Sequence, residues 1–364
     1  MGTAPDLATG TDRLYGRFRR FGFARESLRS GPGTWGRSRD AYAVHCRVPP
    51  VKPCRIRTLD IQLERGSAES DRNTGGTSVL VPGLAQPQPF LEILVHDLGV
   101  IPGLTGASAG FELGEWRAQQ LAEHLMEWIP EFTLTYSELD QLDHANAVWL
   151  MRRAASIVYD TDTYARRGEF GELILHVLLR QAIGTLPAIS KIYFKDAAND
   201  TVKGFDAVHV VPTGDELQLW LGEAKFYKDL SSAINDSVAS INDHFSSDYL
   251  RSEFQAIVNK LDPSWPYADR LAKLLDRNTS LDTIFDSLCI PVLLTYDSNV
   301  VNSHTESTEA YKEEFEAEVR SAHQNFSAKG LPTKVQIHLF LTPLGSKDEL
   351  VSELDRRLKA WQTA

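Results

Sequence analysis

The clearest periodicity of apolar and polar positions lies near the middle of the chain, between residues 166 and 186. Its apolar residues recur every three or four positions: Phe170, Leu173, Ile174, Val177, Leu178 and Ala182. This spacing places them on one face of a helix and leaves the polar residues on the other. The pattern predicts an amphipathic helix of about 17 residues.

The spacing changes after this helix, and three short runs rich in β-branched and aromatic residues follow. They cover residues 188–194, 203–211 and 216–227, and the turn clusters AAND and PTGD separate them. Runs of this length and composition are typical of β-strands. We therefore predict a helix followed by a three-stranded meander.

Helices and strands are also predicted on both sides of the meander. Helical spacing of apolar residues predicts helices at 113–128, 137–159, 229–245, 249–261, 308–328 and 347–361. Buried strands are predicted at 289–296 and 334–342, and shorter apolar blocks begin at about residue 77. Strands that alternate with helices in this way predict an α/β fold, a mixed sheet flanked by helices.

Charge is spread unevenly along the chain. The net charge is −11, yet residues 1–60 contain 12 Arg and Lys against 5 Asp and Glu, and the rest contains 26 against 44. Residues 1–76 are rich in Arg, Gly and Ser without an apolar period, which predicts a basic, flexible extension or a contact for nucleic acid or a partner. We expect an N-terminal α/β lobe at 77–160, which binds a partner, and a second α/β domain at 161–364.

Composition argues against several classes of protein. No run of about 18 uncharged apolar residues occurs, so we expect a cytoplasmic protein without a membrane span. The three cysteines, Cys46, Cys54 and Cys289, are too scattered for a disulfide framework or a CxxC zinc site. The acidic charge after residue 60 disfavours tight, unaided binding of DNA.

Two carboxylates and a lysine in the meander carry the candidate chemistry. Hydrolysis of a phosphodiester uses Mg²⁺ or Mn²⁺, held by oxygen ligands, to polarise the phosphate and acidify the attacking water. Asp206 lies in the second predicted strand, and Glu223, Ala224 and Lys225 lie in the third. Because side chains alternate along a strand, Glu223 and Lys225 project from the same face. A surface ion pair on an edge strand is the alternative interpretation.

The preceding helix supplies a further acidic candidate. Glu169 and Glu172 lie three residues apart in its first turns. Glu172 directly precedes the apolar face, so we favour it over Glu169 as the inward carboxylate. Stabilisation of the helix dipole is the alternative role. The predicted metal ligands are Asp206, Glu223, Glu172 and the backbone carbonyl of Ala224, and Lys225 is expected to act on the water or on the developing phosphate charge.

Histidines and a tyrosine near these residues are weaker candidates. His209 lies three residues from Asp206 and faces the other side of the strand, so we expect a structural role for it and for His176. Tyr227 shares the face of Lys225 and is expected either to touch substrate or to close the core.

The order helix Glu, strand Asp and strand Glu-x-Lys resembles the PD-(D/E)xK nuclease superfamily, with Gly204-Phe205-Asp206 where that superfamily often has Pro-Asp. The segments RRGEFGE, SKIYFKD, KGFDAVHVV and LWLGEAKFYKD together resemble the HamA family, the nuclease subunit of the Hachiman antiphage system. The resemblance covers about 166–261 well and the rest up to 364 loosely, and it leaves out about the first 75 residues. It implies a restriction-endonuclease-like fold and a Mg²⁺- or Mn²⁺-dependent enzyme that cuts DNA during infection together with an ATP-dependent helicase, HamB.

Other motifs indicate no different enzyme. The chain has neither a GxxxxGK[ST] phosphate loop nor HExxH. GPGTWG at 31–36 and GASAG at 106–110 fit GxGxxG and GxSxG, but the predicted surroundings are wrong, so both are interpreted as loops and Ser108 is not expected to be a nucleophile. A catalytically silent nuclease fold that binds DNA or acts as a scaffold stays open, as do a restriction-type nuclease and an RNA-cleaving one.

Overall fold

The computed structural model describes residues 86–158, 168–190, 204–245 and 247–363. The basic extension at 1–76, the GPGTWG motif, Cys46 and Cys54 lie outside the described residues. Within them the strands are β1 Glu92–Asp97, β2 Gly103–Ser108, β3 Phe111–Glu112, β4 Glu115–Trp116, β5 Leu186–Ser190, β6 Ala207–Thr213, β7 Glu216–Phe226, β8 Leu288–Asp297 and β9 Gln336–Leu344. Seven of these described strands form one mixed sheet in the order β1-β2-β9-β8-β7-β6-β5, and β3 and β4 form a separate hairpin.

Helices cover both faces of this sheet. One face packs against α1 Ala118–Thr133, α3 Ala147–Val158, α4 Glu169–Leu178 and α11 Lys347–Thr363, and α2 Tyr136–Asp140 lies between α1 and α3. The other face packs against α5 Leu230–His244, α6 Ser247–Lys260, α7 Ala268–Leu274, α8 Leu281–Asp286, α9 Asn299–Ser303 and α10 Glu309–Ser327. The predicted α/β fold, a mixed sheet flanked by helices, is confirmed.

The central strands are apolar along their whole length because both of their faces are covered. Strand β8 is buried at every position from Leu288 to Tyr296 and pairs in parallel with β7 and β9. Its Cys289 and Leu293 belong to the core on the α4 side, whereas Ile290 and Val292 belong to the core on the α5 side. For this reason, the sequence of a strand between two helical layers is a continuous hydrophobic run.

The predicted helix and meander are present. Helix α4 continues into a π-helical turn, Leu179–Ile183, which ends at Gly184 with a φ of 75°. Strands β5, β6 and β7 then pair antiparallel in sequence. The first predicted strand reaches Ser190 within the described residues.

Two predicted helices differ from the observed ones. The helix predicted at 113–128 begins only at Ala118, because Leu113 and Gly114 take φ angles of 52° and 85° at the turn of the β3–β4 hairpin. The helix predicted at 137–159 is two helices, α2 and α3. Between them Asp143 Oδ1 accepts the backbone N–H groups of Ala145 and Asn146, which forms a turn and a new helix start.

The prediction that the GASAG segment is a loop is also wrong. Its first three residues form the buried end of β2. The Ser108 hydroxyl shares a hydrogen bond of 2.7 Å with the Tyr311 hydroxyl and accepts the Gly110 N–H. The β3–β4 hairpin follows β2, so a strand-to-helix turn with an exposed serine is not formed here.

Strands from both sides of residue 160, the predicted boundary between two domains, belong to one sheet. Strand β2 pairs in parallel with β9, and β1 extends the sheet at this edge. The division into a lobe at 77–160 and a domain at 161–364 stays a prediction. Among the described helices none combines the length and the apolar character needed to cross a membrane.

Candidate active site

The pairing of β6 with β7 places Asp206 beside Glu223. The last paired residues of the two strands are Ala207 and Gly222, and Asp206 directly precedes Ala207. The Asp206 N–H donates to the Gly222 carbonyl at 2.8 Å. Its side-chain Oδ2 accepts the Ala224 N–H at 2.7 Å. This backbone contact fixes the Asp206 carboxylate where the antiparallel ladder ends.

Glu223 and Lys225 project together from the face of β7 that α5 covers. Lys225 Nζ lies 2.6 Å from Glu223 Oε1. Glu223 is only 3% exposed, whereas the Lys225 side chain is 19% exposed. The predicted alternation is confirmed, because Ala224 and Phe226 lie on the opposite face against α4.

The electrostatics of these groups depend on one another. Burial raises the pKa of Glu223, and the neighbouring Asp206 raises it further, while Lys225 and the Ser240 hydroxyl oppose the increase. For Lys225, burial lowers the pKa, but Glu223 and Asp206 outweigh burial and raise the pKa above its usual value. The lysine is therefore a cation at neutral pH, next to two carboxylates that share one site.

Helix α4 approaches the same strand from the other face. A Cβ on Gly171 would lie 2.8 Å from Phe226 Cβ and 3.7 Å from Ala224 Cβ, so the helix backbone runs close to β7 there. Glu172 is 8% exposed, and Glu169 is half-buried. The favoured helix carboxylate is thus the buried one of the two, and its place among the metal ligands stays a prediction.

The donor set suits a hard divalent cation. Within the described ranges no group of three or more His, Cys, Asp or Glu side chains is arranged to hold a metal ion. Mg²⁺, however, is commonly bound by one or two carboxylates and keeps several waters. Asp206 and Glu223 provide such a pair, and the backbone of Ala224 lies beside both.

Two residues at this site were missed in the sequence. His244 and Ser240, one turn apart on α5, both face Glu223. His244 Nδ1 is 3.8 Å from Glu223 Oε2. Their spacing of four residues places them on one face of α5, but it does not show that this face is turned toward Glu223.

The weaker candidates His209, His176 and Tyr227 form hydrogen bonds within the fold. His209 Nδ1 shares a hydrogen bond of 2.7 Å with the Thr185 hydroxyl, and His209 Nε2 lies 3.2 Å from His176 Nδ1. Burial holds the pKa of His209 well below its usual value. The Tyr227 hydroxyl donates to Asp236 Oδ2 at 2.8 Å, which ties the end of β7 to α5.

Comparison with known proteins identifies the family. A model of the HamA family matches residues 89–358, a range that contains the whole sheet together with Asp206, Glu223 and Lys225. Comparison with curated proteins gives no match. Because the matched range covers most of the chain, the chain belongs to the HamA family and is a component of Hachiman antiphage defence.

Proposed function

We propose that this chain is a metal-dependent nuclease that hydrolyses DNA phosphodiester bonds as the effector of a Hachiman complex. The observation that carries the proposal is the pair of carboxylates, Asp206 and Glu223, beside the Lys225 cation in a buried sheet. Ionised groups are costly in such surroundings unless they are paired or used. A catalytically silent scaffold has no need of this set.

Each residue has a definite role in the proposal. A divalent cation such as Mg²⁺ or Mn²⁺, when bound, would supply a Lewis acid to polarise the phosphate and lower the pKa of the attacking water. Asp206, Glu223 and the carbonyl of Ala224 would hold the cation through hard oxygen atoms, and Glu172 is the further ligand that the sequence predicts from α4. Lys225 keeps its positive charge at Nζ, where it orients the water or stabilises negative charge on the phosphate.

The test is cleavage of plasmid DNA by the purified chain together with its genomic neighbour, with and without Mg²⁺. Glu223→Ala and Lys225→Ala should each lower the rate by about 100-fold or more, because each removes a charge at the reacting phosphate. Lys225→Arg should recover little, since a planar guanidinium does not replace a compact ammonium.

Glu216→Ala is the matched control, because Glu216 is an exposed carboxylate at the other end of the same strand. It should cleave at the wild-type rate. Undiminished cleavage by Glu223→Ala would contradict the proposed site. Cleavage of RNA in preference to DNA, or of one DNA sequence alone, would favour an RNA-cleaving or a restriction-type nuclease.

A further inference from the structure

We propose that His244 is a positioning residue for Glu223: its ring holds the carboxylate in the orientation that binds the divalent cation. The inference rests on the proposed nuclease function and names a residue outside the Asp, Glu-x-Lys and helix Glu pattern. It assigns a part of the site to α5, the helix on the far side of Glu223 from α4.

The two oxygen atoms of Glu223 face different partners. Oε1 is held by Lys225 Nζ at 2.6 Å, and Oε2 lies 3.8 Å from His244 Nδ1. The Ser240 hydroxyl, one turn earlier on α5, faces the same carboxylate and lowers its pKa. The carboxylate therefore faces one partner on its own strand and a second, more distant one on α5.

Aromatic contacts hold the His244 ring on both sides. It stacks in parallel on Tyr249, with ring centroids 4.8 Å apart and an angle of 2° between the planes. It meets Phe205 at 5.0 Å and 67°. Phe205 directly precedes Asp206 and is buried. The ring thus lies between α6 and the residue before Asp206, so packing defines its position and its plane.

The packed ring of His244 is better suited to positioning Glu223 than the flexible side chain of Lys225 is. Lys225 is long and partly exposed, and it is required elsewhere if it acts on the phosphate or the water. A ring fixed by two aromatic neighbours stays beside the carboxylate when the lysine moves. Groups that orient a metal-binding side chain in this way typically change metal affinity or activity by about 10- to 100-fold when they are removed.

Two substitutions separate the polar contact of His244 from its packing. His244→Phe keeps a ring between Tyr249 and Phe205 but removes both nitrogens. His244→Asn removes the ring but places an amide close to the position of Nδ1. His144→Phe is the control for the substitution, because His144 is exposed in the turn between α2 and α3.

The measurements are Mn²⁺ binding by calorimetry, the melting temperature, and kcat and KM for DNA cleavage with the partner present. We expect His244→Phe to keep the wild-type melting temperature and KM, to bind Mn²⁺ about 10-fold more weakly and to lose about 10-fold in kcat. His244→Asn should recover most of the Mn²⁺ affinity, and His144→Phe should match the wild type.

The opposite pattern overturns the inference. If His244→Phe binds Mn²⁺ like the wild type, or His244→Asn binds it no better than His244→Phe, the residue only packs. If His244→Phe does not fold, His244→Asn decides: Mn²⁺ binding near the wild-type value supports positioning, and a loss of about 10-fold or more refutes it. A wild-type chain that neither binds Mn²⁺ nor cleaves DNA would refute the proposed function and this inference with it, whereas an active wild type with an unaffected His244→Phe refutes the inference alone.

Discussion

At the scale of single residues, a buried histidine, His338, lies on β9 beside the edge of the sheet that β1 and β2 form. The Thr105 hydroxyl is 2.8 Å from His338 Nε2 and 2.9 Å from His96 Nδ1, so one hydroxyl joins three neighbouring strands. Burial lowers the pKa of His338 to about 3, and the neighbouring His96 and His323 contribute to the decrease. His338 is therefore neutral in the folded protein at all but strongly acidic pH.

This shift makes the stability of the protein depend on pH. Between about pH 3 and 6.5 the unfolded chain binds a proton at His338 that the folded chain does not, so stability is present above pH 6.5 and is lost as the pH falls. We expect the free energy of unfolding of the wild type to fall by about 2 kcal/mol more than that of His338→Gln between pH 7 and pH 5.

Urea unfolding at the two pH values measures this difference, with the exposed His144→Gln as the control. The comparison uses the change with pH within each variant, so a general loss of stability in His338→Gln does not affect it. Equal changes in the wild type and in His338→Gln would contradict the neutral, buried state of His338.

The residues of the candidate site differ in how far the sequence predicts them. Glu223 and Lys225 are predictable because alternation along a strand is a local property, and Asp206 follows from its place on the neighbouring strand. The burial of Glu172 follows from helical spacing. His244 was not predicted, because its distance from Glu223 depends on how α5 is rotated against β7, and no local period contains that information.

At the scale of elements, a pair of glycines allows α4 and β7 to approach closely. Besides the contact of Gly171 with Phe226, a Cβ on Gly222 would lie 2.7 Å from Leu175 Cδ2 and 3.0 Å from Ala207 Cβ. Both glycines lack a side chain where helix and strand meet. The position of Ala224, between Glu223 and Lys225, therefore depends on this contact.

Gly171→Ala should destabilise the protein. Alanine favours a helix over glycine by up to about 1 kcal/mol, but overpacking of a core contact costs about 1–3 kcal/mol. Because Phe226 Cβ cannot move without its strand, we expect a net loss of about 1–2 kcal/mol in the free energy of unfolding, measured by urea denaturation. Gly330→Ala, where a Cβ meets open space, should change it by less than about 1 kcal/mol. A Gly171→Ala variant as stable as the wild type would mean that α4 shifts away from β7 without cost.

Most elements were predictable because periods of 2 and 3.6 residues are local. Two of the errors fall where backbone turns interrupt an apolar period, at Leu113–Gly114 and at Asp143–Asn146. In both places the apolar residues continue at helical spacing while polar hydrogen bonds or positive φ angles stop the helix. At these two places the local turn, and not the wider apolar pattern, determines where the helix begins.

At the scale of the whole molecule, the acidic charge argues for a protein that does not capture DNA unaided. Residues 61–364 carry 44 Asp and Glu against 26 Arg and Lys. Such a surface repels a phosphate polyanion, and an unrestrained DNase would also damage the host genome. We therefore propose that a helicase partner delivers or restrains this chain.

Co-expression with the adjacent gene and affinity capture test this proposal. The two proteins should co-purify, and DNA degradation should require ATP and a DNA signal. Glu223→Ala should still bind the partner while losing cleavage, since Glu223 is buried and unavailable for a protein contact. If the isolated chain degrades duplex DNA at physiological salt as fast as the mixture, and no complex forms, partner control is refuted while the nuclease proposal stands.

The strand order was not predictable from local patterns. The pairing of β2 with β9 joins Thr105 to His338, which are 233 residues apart in the chain. Nothing in the sequence of either strand selects the other as its partner, because each is an apolar run. The position of the antiparallel pair β1–β2 beside β9 depends on the complete set of packed helices.

That pairing sets the order of events on the ribosome. Strand β2 leaves the ribosome long before β9 has been made, and synthesis of the intervening chain takes on the order of 10–50 s. During that interval β1–β2 has no partner strand in the sheet, and after β8 emerges its free edge stays open to other chains until β9 covers it. A nascent or C-terminally truncated chain therefore carries Asp206, Glu223 and Lys225 in a sheet that still lacks β9 and the β1–β2 edge.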